Sequence, residues 1–196
     1  RPTRFEHRRW AIEYLGLCKL DARGETGLDE ELRQRTHGTL ARSRLEQCAR
    51  EWLHGRRYLI AGPRRIKARV RRVVQTIEAD DHREVRRSTS ADQLQRAFAT
   101  LLAPRAGGAL SALEWLRRPP KRRSLRTIRE VHEKYRWLEP LVIACRVAGI
   151  PRERALVYAR RFRRRRAADL SALGTSRREL EALCFITVTL SPLTDD

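Results

Sequence analysis

Between Arg64 and Ala79 the chain sets Ile66, Val70, Val73, Val74 and Ile77 three and four residues apart, so all five fall on one side of a helix. The far side is Arg64, Arg65, Arg72 and Gln75, with Lys67, Arg69 and Arg71 on the flanks. β-Branched residues are mediocre helix formers, so packing of the apolar stripe must hold this helix. A strand is excluded because the pattern does not alternate with a period of two. This one segment demands both a core for its stripe and an explanation for its basic face.

The same helical spacing recurs along the chain. Thr3 to Leu17, with Phe5, Trp10, Ile12 and Leu15, predicts a first helix. Asp21 to Gly27 reads as a loop, because Gly24 and Gly27 act as turn signals, and Asp29-Glu30-Glu31 opens a helix-compatible stretch. Thr39 to His54 predicts a helix with Ala41, Leu45, Cys48 and Trp52 on one face. Gly62 then breaks the chain, and Pro63 suits the first turn of the helix described above. Ser90 is placed to cap a helix carrying Leu94, Phe98, Leu101 and Leu102, which ends before Pro104.

Ser111 to Arg118 predicts a short helix with Leu113, Leu116 and a core Trp115, stopped by Pro119-Pro120. Ser124 is a good cap for a helix with Leu125, Ile128, Val131, Tyr135 and Leu138 on one side. After the break at Gly149-Ile150-Pro151, a helix from Arg152 runs into the block Arg160 to Arg166. Thr175 or Ser176 starts a last helix through Leu180, Leu183 and Cys184. Phe185 to Leu190 favours a strand locally, but no partner strand exists, so it is read as helix. The expectation is an all-α chain of about eight or nine helices.

Charge narrows the function. The 196 residues carry 44 Lys and Arg against 24 Asp and Glu, a net charge of +20, and only Lys19, Lys67, Lys121 and Lys134 are lysines. Arginine presents a planar fork of donors suited to phosphate, and an excess this large attracts polyanions. A GC-rich genome would account for Arg over Lys but not for the net charge. Hydrophobic residues make up 41%, enough to fold, which argues against a disordered basic tail. Aromatic residues at 6% are too few for the stacking surface of a single-strand binder. Residues 1–62 are net +4, 63–139 net +11 and 140–196 net +5, so over half of the excess lies in the middle segment. This division predicts an amino-terminal helical subdomain, a strongly basic DNA-binding subdomain and a carboxy-terminal helical linker or subdomain.

Within the middle segment, the short helix ending in Arg117-Arg118, the basic turn Pro119 to Arg123 and the Ser124-capped helix follow the plan of a helix-turn-helix. In that plan Arg126 and Arg129 face base edges, while Lys121, Arg122 and Arg123 hold phosphates. Arg64, Arg65 and Arg72 are further candidates on the earlier helix. Arg163, Arg164, Arg165 and Arg166 point around most of a helical turn, so they predict phosphate tracking or an electrostatic fringe rather than one groove wall, with a localisation signal the weaker reading.

Nothing in the chain predicts chemistry. There is no phosphate-binding glycine loop, no H-E-x-x-H and no nucleophile elbow. Cys18, Cys48, Cys145 and Cys184 are dispersed among apolar neighbours, and the five histidines are equally dispersed, which predicts core thiols in a reducing cytosol and no metal or cofactor. Asp80-Asp81 and Asp195-Asp196 are the only Asp doublets, and neither predicts the converging carboxylates of a two-metal centre. No apolar run approaches the roughly 18 residues of a membrane span, so no membrane or small-molecule partner is expected. The absence of any Met predicts a processed chain or a piece of something longer.

Several segments, in order, resemble the transposases of Tn3-type replicative transposons, in the region before their catalytic domain. They are Trp10-Ala-Ile-Glu-Tyr-Leu-Gly16, Tyr58-Leu-Ile-Ala-Gly-Pro63 with its proline-glycine order altered, and Ser111-Ala-Leu-Glu-Trp-Leu-Arg-Arg-Pro-Pro120. The last is Thr187-Val-Thr-Leu-Ser-Pro-Leu-Thr-Asp-Asp196. The resemblance implies binding of double-stranded DNA at terminal inverted repeats, with Arg117, Arg118, Lys121 to Arg123, Arg126 and Arg129 as contacts. It also implies a downstream RNase H-like domain with an Asp-Asp-Glu triad and Mg, self-association in a transpososome, and a cytoplasmic, nucleoid-associated location. The competing expectations are a basic helical protein bound to RNA or the ribosome, and a non-catalytic helical assembly module.

Overall fold

Local capping and apolar spacing set most helix boundaries. In the computed structural model, which describes residues 3–59, 62–104, 111–118, 125–144, 149–166, 169–170 and 172–190, the named elements are all helices. They are α1 (Arg4–Tyr14), α2 (Ala22–Arg35), α3 (Arg42–Gly55), α4 (Pro63–Ser88), α5 (Ala91–Leu102), α6 (Ala112–Arg117), α7 (Leu125–Ala144), α8 (Arg152–Arg164) and α9 (Thr175–Leu190). Among the described residues, extended pairing is limited to isolated bridges, Cys18 with Tyr58 and Pro104 with Ser111. The chain is all-α. Its tertiary contacts divide it into two compact units, Arg1–Ile77 and Glu78–Asp196, with the division inside α4.

In the first unit, the segment read as a loop from its glycines is the start of α2. Asp21 accepts a hydrogen bond from the Gly24 N–H at 2.7 Å and caps the helix. The glycines serve packing. A Cβ at Gly24 would lie 2.8 Å from Leu20 Cδ1 and Tyr58 Cζ, and one at Gly27 would lie 3.1 Å from Trp52 Cζ2. Tyr58 is stacked on Trp52 with ring centres 5.8 Å apart, so neither ring is free to swing away. The core is Leu28 and Leu32 of α2, Leu40, then Leu45, Ala49 and Leu53 of α3, with Ile66, Val70, Val73 and Val74 of α4. The α3 stripe thus runs at intervals of four, leaving Cys48 and Trp52 half-buried and Ala41 exposed as the N-cap. Trp10, Leu15 and Cys18, expected among the apolar interior, are exposed.

The second unit begins with the rest of α4, which extends nine residues beyond the predicted end to Ser88. Ser90 and Ser111 form capping boxes with Gln93 and Glu114, as S-x-x-Q and S-x-x-E spacings allow. Trp115 is half-buried, edge-on to Trp137. α8 and α9 pack on each other more extensively than any other pair, around Tyr158, Phe162, Leu180, Leu183, Cys184, Phe185 and Ile186. The Phe162 ring meets Phe98 and Phe185 at 6.5 and 5.3 Å between centres. The strand-favouring end of α9 is helical, and the Thr187 and Thr189 hydroxyls donate to carbonyls one turn back. Burial pushes the Cys184 thiol up, so it stays protonated. On α7, Leu138 is fully buried, but Leu125 and Ile128 are 79% and 64% exposed, against the expected single apolar side. The same helix continues through Pro140.

Asp81 lies inside this unit, 5% exposed, accepting from Arg154 Nη2 at 2.8 Å and from the Tyr158 hydroxyl at 2.7 Å. Burial raises its carboxyl above the usual range, although Tyr158 and Arg154 pull the other way. A raised carboxyl favours the folded state most below the unfolded value, and the contribution is lost as pH rises through the folded value.

Two measurements check this packing. Gly24→Ala should cost about 1–3 kcal/mol by urea denaturation, whereas Gly55→Ala, which meets nothing within 4 Å, should gain up to about 1 kcal/mol from helix propensity. In a pH series of urea midpoints, wild type should lose ground to Asp81→Asn as pH rises above about 4. A pH-independent gap would show that Asp81 does not titrate with folding.

Candidate nucleic-acid interface

The basic face of α4 arises from charge order along one helix. From Pro63 to Ile77 it carries six basic residues and no acid, and from Glu78 to Ser88 acids and bases alternate. In the first stretch Arg69 turns into the unit, where Glu25 Oε2 lies 2.9 Å and Asp29 Oδ1 3.4 Å away. Arg64, Arg65, Lys67, Arg71 and Arg72 are exposed, and among the described residues none forms an ion pair. An open groove of about 1100 Å³ runs beside them, with exposed Lys19, Arg64, Arg65 and Arg72 and buried Leu28, Leu32 and Leu53 in its lining. The sequence reading placed Lys67 and Arg71 on the flanks and did not nominate them. The acid-free run was the signal that would have found them.

The other nominated arginines divide by what they touch. Arg163 and Arg164 are exposed at the end of α8. Arg165 is held by Glu181, with Nε at 2.9 Å from Oε2, and Glu181 is fully buried. Arg166 is exposed, its backbone N–H donating to Asp169. Arg117 is partly buried and donates from Nη2 to the Phe162 carbonyl at 2.5 Å. Burial lowers its basicity, with Glu114 opposing and Arg163 adding to the shift. Arg118 is exposed, and its carbonyl accepts from Lys134 at 2.7 Å. Arg129 is exposed on α7. Lys121, Arg122, Arg123 and the capping Ser124 lie outside the described residues, as does the side chain of Arg126, so the helices α6 and α7 are present but their turn is not described.

Among the described residues of the second unit, carboxylates do not converge on an open site. Glu78 pairs with Arg161 at 2.6 Å, Glu179 with Arg86 and His82 at 2.9 Å each, and Glu181 with Arg165 and Arg177 at 2.9 Å each. Most of these pairs join different helices. Among the described residues, no group of three His, Cys, Asp or Glu side chains is placed to hold a metal, and no helix is long and apolar enough to cross a membrane.

No family model matches the chain. It is 28% identical over 193 residues to the transposase for insertion sequence element IS1071 in transposon Tn5271, from Comamonas testosteroni. The alignment covers 98% of this chain and 20% of that protein, so the chain spans about a fifth of the length of this relative. It is a transposase-related chain.

Arg165→Ala should lower stability by roughly 1–3 kcal/mol, because it removes one of two partners from a buried carboxylate. Arg164→Ala, at an exposed site, should stay within about 0.5 kcal/mol of wild type. Urea denaturation of the two variants separates the structural arginine from the free one.

Proposed function

We propose that this chain is a duplex DNA-binding segment of a Tn3-type transposase, which holds the terminal inverted repeats of its transposon. The observation that carries this reading is the acid-free, exposed basic face of α4 from Pro63 to Ile77, set against a second unit in which Glu78, Asp81, Glu179 and Glu181 pair with its own arginines. Relationship to a transposase over nearly the whole chain supports it. A solvated helix face ordinarily mixes both signs of charge, as the later half of α4 does with Asp80–Arg83 and Glu84–Arg87.

In this reading Arg64, Arg65 and Arg72 contact DNA from α4, and Arg118 and Arg129 from the ends of α6 and α7. Arg163, Arg164 and Arg166 contribute phosphate contacts from the second unit. Lys121, Arg122, Arg123 and Arg126 belong to the same set, on their sequence positions alone. Arg117 and Arg165 act indirectly, by holding the helices that present their neighbours. The chain itself binds and does not cut. Strand transfer, with its divalent metal, belongs to a catalytic domain elsewhere in the parent protein, which works in the nucleoid and self-associates on the transposon ends.

Fluorescence anisotropy with labelled duplexes tests this. Neutralising about 6–10 phosphates should cost roughly 10³–10⁵ in affinity between 50 and 200 mM salt. An inverted-repeat end should bind more tightly than a scrambled duplex of equal length. Equal affinity for the two at every salt concentration would overturn end recognition, and preference for structured RNA in competition would overturn duplex binding.

A further inference from the structure

The exposed side of α4 in the first unit has an internal order that goes beyond charge. At 100° per residue, Arg64, Ala68, Arg71 and Gln75 form its centre line, with Lys67 on one flank and Arg65 and Arg72 on the other. All seven are exposed, while Ile66, Val70, Val73 and Val74 behind them are buried in the unit. The centre line is about 16 Å long at 1.5 Å per residue. A B-form major groove, about 12 Å wide, admits a helix. Cations on both flanks match the two phosphate walls of such a groove. The centre line carries groups that read bases: arginine pairs with guanine O6 and N7, and glutamine with adenine N6 and N7. Ala68 keeps the middle of the line short, which allows close approach, and its methyl suits a thymine methyl group.

We infer that α4 enters the major groove of duplex DNA along this line, a conclusion that rests on the DNA-binding reading above. Arg71 and Gln75 read a guanine and an adenine edge, and Ala68 lies against the floor between Arg64 and Arg71. Lys67 on one side, and Arg65 and Arg72 on the other, hold the two backbones. Specificity then resides in the first unit, on residues that support no part of its core.

The whole chain tests this. A randomised duplex library is selected with wild type, and affinities are measured on the selected duplex and on a scrambled one. Arg71→Ala and Gln75→Ala should each weaken the selected duplex about 5- to 150-fold and the scrambled one far less. Lys67→Ala should weaken both alike and reduce the salt slope by about one. Replacing guanine by 7-deazaguanine, which removes N7, should weaken wild type and leave Arg71→Ala nearly unchanged. Equal loss on both duplexes for Arg71→Ala and Gln75→Ala, or no enriched sequence, would overturn base reading while leaving DNA binding intact. Failure of wild type to bind any duplex at low salt would overturn the underlying reading instead. Circular dichroism melting of each variant, expected to match wild type because these side chains are exposed, separates loss of contact from loss of fold.

Discussion

Inward pairing of carboxylates is the arrangement on which the second unit depends. Asp81, Glu179 and Glu181 are buried, and each is matched by an arginine that reaches it from another helix. A buried charge without its partner costs several kcal/mol, so these pairs constrain how α8 and α9 sit against the later half of α4. They also take acids away from the surface. What faces water at Arg163, Arg164 and Arg166 is therefore more positive than the composition of the unit alone implies.

The first unit solves the same problem differently. Its core across α2, α3 and α4 is mainly aliphatic, and among the described bases of early α4 only Arg69 is drawn in by acids of α2. The remaining bases of early α4 stay outside, with no ion pair among the described residues. Two strategies for placing arginine thus meet on a single helix. One uses charge to fix helices together, and the other leaves charge free to act on a partner.

Elements governed by local rules were legible in the sequence. The stripe of α4, the Pro63 start, the cap at Ser90, the short helix after Ser111 and the helical reading of Phe185 to Leu190 all depend on neighbours a few residues away. The start of α2 was not legible, because Gly24 and Gly27 answer to Tyr58 and Trp52, more than twenty residues distant, rather than to a turn. Leu125 and Ile128 kept helical spacing yet found no core to meet. The role of Arg165 was equally hidden, since four consecutive arginines look alike until Glu181 is brought beside one of them. The candidate interface was half legible: Arg64, Arg65 and Arg72 were nominated, while Lys67 and Arg71 needed exposure to be distinguished from Arg69.

The change of character at Ile77 and Glu78 also has a consequence over evolutionary time. Upstream of it, the outward residues of α4 are exposed and form no ion pair among the described residues, so a substitution there leaves the fold intact. Downstream, Glu78 and Asp81 are each tied to a specific arginine on α8, so a change in one has to be answered by a change in the other. One helix thus contains a stretch whose outward residues can change singly and a stretch whose acids are tied to partners.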